Sequence, residues 1–186
     1  METLAVHELE FGPWVNAGMA FAPARQRSVS KEAFTPPLDV REWVTPARLA
    51  RWSLDEVEAL EECDYVNPAE PWSLASEPNP KRKLLLRLLA YAYACRVFDS
   101  EGIVHKCCFD PNFRNLCAAQ PPSPGELWRC RRTHRPALER VLSRLLLRSV
   151  QERFCLDASI AQPELEEDLR HRAIERLNIA RHMDQP

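Results

Sequence analysis

Glycine is scarce in this chain of 186 residues, with four glycines against sixteen prolines. Few glycines leave few positions for a phosphate-cradling loop or for the positive torsions of a tight hairpin turn. A nucleotide-binding α/β enzyme and a hairpin-rich sandwich are both disfavoured. Long apolar runs are missing too. The longest, Leu84 to Ala94, is interrupted by Arg87 and is too short to cross a bilayer. The first residues carry Glu2 and Glu8 where an export signal would carry basic side chains. The seven cysteines, at 63, 95, 107, 108, 117, 130 and 155, are odd in number and scattered, which reads as reduced thiols. These absences together predict a cytoplasmic protein with no membrane contact and no disulfide framework.

What remains is enough for an ordinary core. Apolar residues make up 45% of the chain, aromatics 8% and charged residues 28%, the composition of one globular domain or a small domain with an appended region. The formal net charge of −2 conceals a segregation. Residues 1–80 hold 6 basic and 14 acidic side chains, residues 81–153 hold 15 and 6, and residues 154–186 hold 4 and 7. A basic centre between acidic flanks is an electrostatic footprint for nucleic acid, or a solvated helical surface.

The local signals are helical almost throughout. Residues 1–44 show no sustained period and are broken by Pro13, Pro23, Pro36 and Pro37, so they read as a partly extended arm, with Phe11, Trp14, Phe21 and Phe34 available for docking. Residues 45–78 combine a helix start at Thr45-Pro46 and a capping box at Ser53–Glu56, predicting a short helix to about Cys63, with a proline-rich linker after it. Residues 79–153 hold a wide apolar helix from Asn79, short helices opened by Ser100 and Asp110, and a helix from Ser123 to about His134. A long helix after Pro136 turns Leu138, Val141, Leu142, Leu145 and Val150 inward. Residues 154–186 end in an amphipathic helix from Pro163, with Leu165, Leu169, Ala173 and Leu177 at steps of four. No strand pattern competes. The expected fold is all-α, a multi-helix bundle with a helix-turn-helix-like centre.

Two short helices, a turn and a basic helix are the parts of a helix-turn-helix, whose last helix enters the major groove. On residues 124–135, Leu127, Cys130 and His134 form the inward stripe, while Trp128, Arg129, Arg131, Arg132 and Arg135 cover much of the remainder. Arginine reads guanine edges and binds phosphate, so this face suits DNA. The next helix adds Arg140, Arg144 and Arg148 at steps of four, a ridge able to track a phosphate backbone. The competing reading pairs these arginines with Glu126, Glu139 and Glu152, but residues 123–153 hold eight arginines against three glutamates.

From Lys83 to about Val150 the chain resembles the N-terminal (InsH-type) domain of bacterial insertion-sequence DDE transposases. The resemblance lies in Leu84–Ala94, Phe98-Asp99-Ser100, Asp110–Cys117, Gln120-Pro121-Pro122 and the basic stretch Leu127–Glu139. It implies a helical DNA-binding domain, with the contact role passing to Arg129, Arg131, Arg132 and Arg135. Cys130 and Trp128 depart from the family pattern, standing where an aromatic and a small polar residue are usual. The DDE catalytic core, which needs three carboxylates around two metal ions, has no counterpart in the 33 residues after Arg153, and Asp157 alone cannot form it. The chain is therefore expected to be non-catalytic, without cofactor or metal. Zinc is the other candidate chemistry, because Cys130 and His134 lie one turn apart, but the cysteine spacings give no paired knuckle and fall on apolar faces. The expected partner is double-stranded DNA, for a regulator or a truncated element product. The alternative is an interaction module that reuses the helical scaffold, meeting a protein partner or a second copy through residues 1–78 or the C-terminal helix.

Overall fold

In the computed structural model, residues 35–61, 79–156 and 163–184 are described. Seven helices account for most of them: α1 (Pro46–Glu58), α2 (Asn79–Ala94), α3 (Ser100–Phe109), α4 (Pro111–Leu116), α5 (Pro124–Thr133), α6 (Arg135–Phe154) and α7 (Pro163–Met183). Among the described residues there is no β-strand. A 3₁₀ turn at Val40–Glu42 precedes α1, and one antiparallel bridge joins Asp39 to Cys95. The fold is an all-α multi-helix bundle. The arm residues Phe11, Trp14, Phe21 and Phe34, Cys63, the linker prolines before Asn79, and Asp157 lie outside the described residues.

α2 is the axis of the bundle. Leu85, Leu86 and every residue from Leu88 to Ala94 have no exposed surface, and α1, α4, α5, α6 and α7 all pack on this helix. A helix apolar all round must be enclosed, because each buried leucine stabilises the fold by about 1.5–3 kcal/mol. Arg87 interrupts the apolar run and sits half-buried, its Nε donating to the Leu116 carbonyl at 2.9 Å and so satisfying the carboxyl end of α4. The stripe Leu138, Val141, Leu142, Leu145 and Val150 of α6 is fully buried, as are Leu169, Ala173 and Leu177 of α7.

Helix starts follow the local chemistry, with three differences from expectation. Asp110 caps α4 through the amides of Asn112 and Phe113, and Ser123 with Glu126 forms a complete capping box on α5. Thr45 precedes α1 without a side-chain cap, proline at the first turn having removed one of the donors to be satisfied. Ser53 does not open a new helix. Its hydroxyl donates back to the Ala50 carbonyl at 2.7 Å, inside a continuous α1 that ends at Glu58 rather than near Cys63. At α3 the cap is Asp99, not Ser100. Asp99 accepts from the Gly102 amide, and a Cβ on Gly102 would stand 2.4 Å from the Asp99 carboxylate, so glycine keeps that cap in place.

Helix ends expose the consequence of having little glycine. α2, α4 and α6 each end in the motif that wants a left-handed residue just past the helix, with amide-to-carbonyl bonds Val97→Ala92, Ala119→Arg114 and Leu156→Gln151. The left-handed residues are Arg96 (φ 61°), Ala118 (φ 52°) with Ala119 (φ 60°), and Cys155 (φ 51°), and none of them is glycine. Each side chain there costs about 1 kcal/mol of steric crowding. Ala118 and Cys155 are exposed, so their side chains contribute no core packing in return. Ala118→Gly and Cys155→Gly are therefore expected to raise stability by about 0.5 kcal/mol each, the relief of crowding exceeding the entropy returned to the unfolded chain. Urea unfolding of both variants, with midpoints unchanged or lowered, would contradict this account.

Candidate nucleic-acid interface

α5 is short and its two sides differ sharply. Leu127, Cys130, Arg131 and His134 are buried, whereas Gly125, Trp128, Arg129 and Arg132 are exposed at i, i+3, i+4 and i+7. The outward line thus holds two arginines and an indole that is 48% exposed. The Arg132 guanidinium lies 5.8 Å from the centre of the Trp128 ring, a cation–π arrangement across one turn. Among the described residues no carboxylate pairs with Arg129. The start of the helix is electrically occupied: Glu126 accepts from the Ser123 amide at 2.8 Å and from Lys81 Nζ at 2.5 Å. The Lys81 contact, together with the hydrogen bonds from Ser123, holds the Glu126 carboxyl down at about 2.

Arg131 is the clearest correction to the sequence reading. It does not join the exposed face; it is 6% exposed, and its donors all point inward. Nε donates to the Tyr93 hydroxyl, Nη1 to the Ala180 carbonyl at 2.8 Å and to Asp184 Oδ2 at 2.6 Å, and Nη2 to Ser100 Oγ at 3.1 Å. One guanidinium therefore ties α5 to α2, α3 and α7. Arg131 follows Leu127 by four and precedes His134 by three, so helical spacing alone puts it on the inward stripe, and its positive charge is what diverts attention outward.

Ser100 and Asp184 complete that network, and neither stands out in the sequence. The Asp184 carboxylate accepts from the Ser100 amide at 3.0 Å and from its hydroxyl. Burial opposes ionisation of Asp184, but the two hydrogen bonds from Ser100 and the charge of Arg131 outweigh it and lower its carboxyl below the ordinary 3.8. Arg176, on α7, is buried in a comparable way, donating to the carbonyls of Pro37, Leu38 and Tyr93 at 2.6, 3.0 and 2.9 Å. Burial is the dominant influence on Arg176 and lowers its proton affinity.

The basic ridge of α6 is also largely spoken for. Arg144 lies 3.5 Å from Glu56, and Arg148 reaches Glu56 at 3.0 Å and Asp55 at 3.6 Å, so α1 supplies the counter-charge. Arg135 is half-buried and donates to Asn178 Oδ1 at 2.8 Å. Arg140 is exposed on α6. The glutamates expected to neutralise this segment are paired elsewhere: Glu126 with Lys81, Glu139 with Arg170 and Glu152 with Arg48. The structure thus brings together Trp128, Arg129 and Arg132, and separates Arg131, Arg135 and Arg144 from them by burial or by pairing.

Cys95, Cys107, Cys117 and Cys130 are buried free thiols, and Cys108 and Cys155 are exposed ones. Cys130 and His134 are both in the core. Among the described residues no group of three or more His, Cys, Asp or Glu side chains is placed to hold a metal ion, and no helix is long and apolar enough to cross a membrane. No family model, curated protein or solved structure matches the chain.

Two outcomes follow from the Arg131 network. Arg131→Ala is expected to cost about 3–5 kcal/mol, because it strands Asp184 in a largely dry site, and Arg131→Lys is expected to rescue little, since one ammonium cannot reach four acceptors on separate helices. Chemical denaturation measures both, and a loss below about 1 kcal/mol for Arg131→Ala would show that the network is dispensable. Asp184 and Glu126 ionise more readily folded than unfolded, so the unfolded chain binds the extra protons as pH drops. Their contribution is complete above the ordinary values of 3.8 and 4.5; that of Glu126 is lost as pH falls toward about 2, and that of Asp184 as pH falls below 3.8. Thermal melts from pH 7 to 2 should show this decline, and Asp184→Asn with Glu126→Gln should make it shallower.

Proposed function

We propose that this protein is a non-catalytic, DNA-binding helical protein related to the N-terminal domain of insertion-sequence transposases, acting as a regulator or arising as a truncated element product. The observation that carries the reading is the outward line of α5, where Arg129 and Arg132 lie beside an exposed Trp128 on a capped helix that follows two short helices and a turn. Arginines on such a helix suit phosphates and guanine edges. The same geometry narrows the contact set. Arg129, Arg132 and Trp128 form the primary face. Arg140 is exposed on the neighbouring helix, and Arg131 serves as a positioning residue that holds α5 against α2, α3 and α7.

An interaction module is the second reading, favoured by one observation: an indole that is 48% exposed is the kind of anchor that protein interfaces bury. Salt dependence separates the two. Each phosphate contact releases about one counterion, so duplex affinity should fall steeply as salt rises. Replacing Arg129 and Arg132 together by Ala should flatten the slope of log K against log salt by about two, with little change in stability because both side chains are exposed. Identical slopes for wild type and double variant, or no duplex binding at low salt, would reject the DNA reading and leave the interaction module.

A further inference from the structure

The α5 surface is unusual for a helix that reads base edges, because its most prominent exposed group cannot accept a hydrogen bond and donates only through one indole nitrogen. Trp128 sits at the centre of the outward line, with Gly125 one turn before it and Arg132 one turn after. A helical side chain reaches back over the turn preceding its own Cα. For Arg132 that is the turn of Trp128, in agreement with the 5.8 Å between the guanidinium and the ring centre. Around Gly125 an added methyl group would meet nothing within 4 Å, so the Trp128 indole leaves that turn uncovered. The indole therefore carries a cation against its ring and is still 48% exposed. Phosphate is not invited to the start of the helix, because the Glu126 carboxylate already occupies it. Charge at Arg129 and Arg132 and a flat aromatic surface beside them are the parts of a stacking platform: cations hold the strand and a ring receives a base.

We infer that the preferred ligand is DNA carrying an unpaired base, which stacks on Trp128 while Arg129 and Arg132 hold the flanking phosphates. This rests on the DNA-binding role proposed above and adds to it the class of DNA. Base-on-indole stacking is sequence-tolerant, so recognition would follow the opening of a base pair more than the identity of the bases. Perfect duplex still meets the arginines, but offers no base face to the ring.

The test uses the full chain and two DNA probes of one sequence, a perfect duplex and the same duplex with a short central bubble of unpaired bases, read by fluorescence anisotropy at fixed salt. Wild type is expected to bind the bubble about tenfold more tightly than the duplex. Trp128→Ala should bring that ratio close to one without changing the salt slope, and Trp128→Phe should keep most of it. Because the preference is first read in wild type, a variant that failed to fold would not decide the matter. Equal affinity of wild type for both probes, or a preference that survives in folded Trp128→Ala, would overturn the stacking inference while leaving DNA binding intact. Failure of wild type to bind either probe at low salt would overturn both.

Discussion

The carboxyl end of α2 is the constraint on which the rest of the bundle depends. A helix enclosed on all sides still ends with carbonyls that have no partner within the helix, and leaving such groups unpaired in a dry interior costs several kcal/mol in total. Here each is answered. The Tyr91 and Ala92 carbonyls accept from the amides of Cys95 and Val97, the Tyr93 and Ala94 carbonyls face the Arg176 guanidinium, and the Cys95 carbonyl accepts from Arg41. The same Arg176 holds Pro37 and Leu38, so the segment before α1 and the last helix meet at the end of the central one. Arg131 does for α5 and α3 what Arg176 does for the chain before α1. Two buried arginines thus join elements that apolar packing alone would place only loosely.

The same structure explains the separation of charge along the chain. The acidic first segment supplies Asp55, Glu56 and Glu58 to Arg144, Arg148 and Lys83 of the basic centre, and the last segment supplies Arg170 to Glu139 and Asp184 to Arg131. Segments of opposite sign in sequence become neighbours in space, and most of the resulting pairs are partly exposed and individually weak. Their effect is to subtract. On α5 the exposed cationic surface is smaller than composition suggests, consisting of Arg129 and Arg132 beside the Trp128 indole. Its aromatic centre distinguishes it from a plain phosphate-binding ridge, and that distinction directs the functional reading toward exposed base faces.

Scarce glycine also has a structural cost. Three helices end with left-handed residues that carry side chains, and none of the described left-handed positions is a glycine. Of the two described glycines, Gly102 stands against the Asp99 cap of α3, where a side chain would not fit, and Gly125 has open space around it. The chain thus tolerates backbone crowding at its helix ends while Gly102 stands where a cap depends on it.

Helix identity was legible in the sequence because its causes are local. Proline at the first turn, the caps at Asp110 and Ser123, and apolar spacing on α2, α6 and α7 act within a few residues, so they place these helices and their inward stripes without reference to the rest of the molecule. Ser53 and Ser100 depart from their local signals for a physical reason: a hydroxyl that looks like a cap has several partners within reach, and the winner is chosen by what packs beside it, Ala50 in one case and Asp184 with Arg131 in the other. The candidate face was legible only in part. Trp128, Arg129 and Arg132 follow from helical geometry once α5 is placed. Whether an arginine faces water or a carbonyl depends on groups 31 to 53 residues away along the chain, and Arg131 meets Tyr93, Ser100, Ala180 and Asp184 only after the helices have packed. Local sequence therefore determined which segments are helices, and the tertiary structure alone decided which of their charges are spent inside, because burial and pairing are properties of neighbours in space and not of neighbours in the chain.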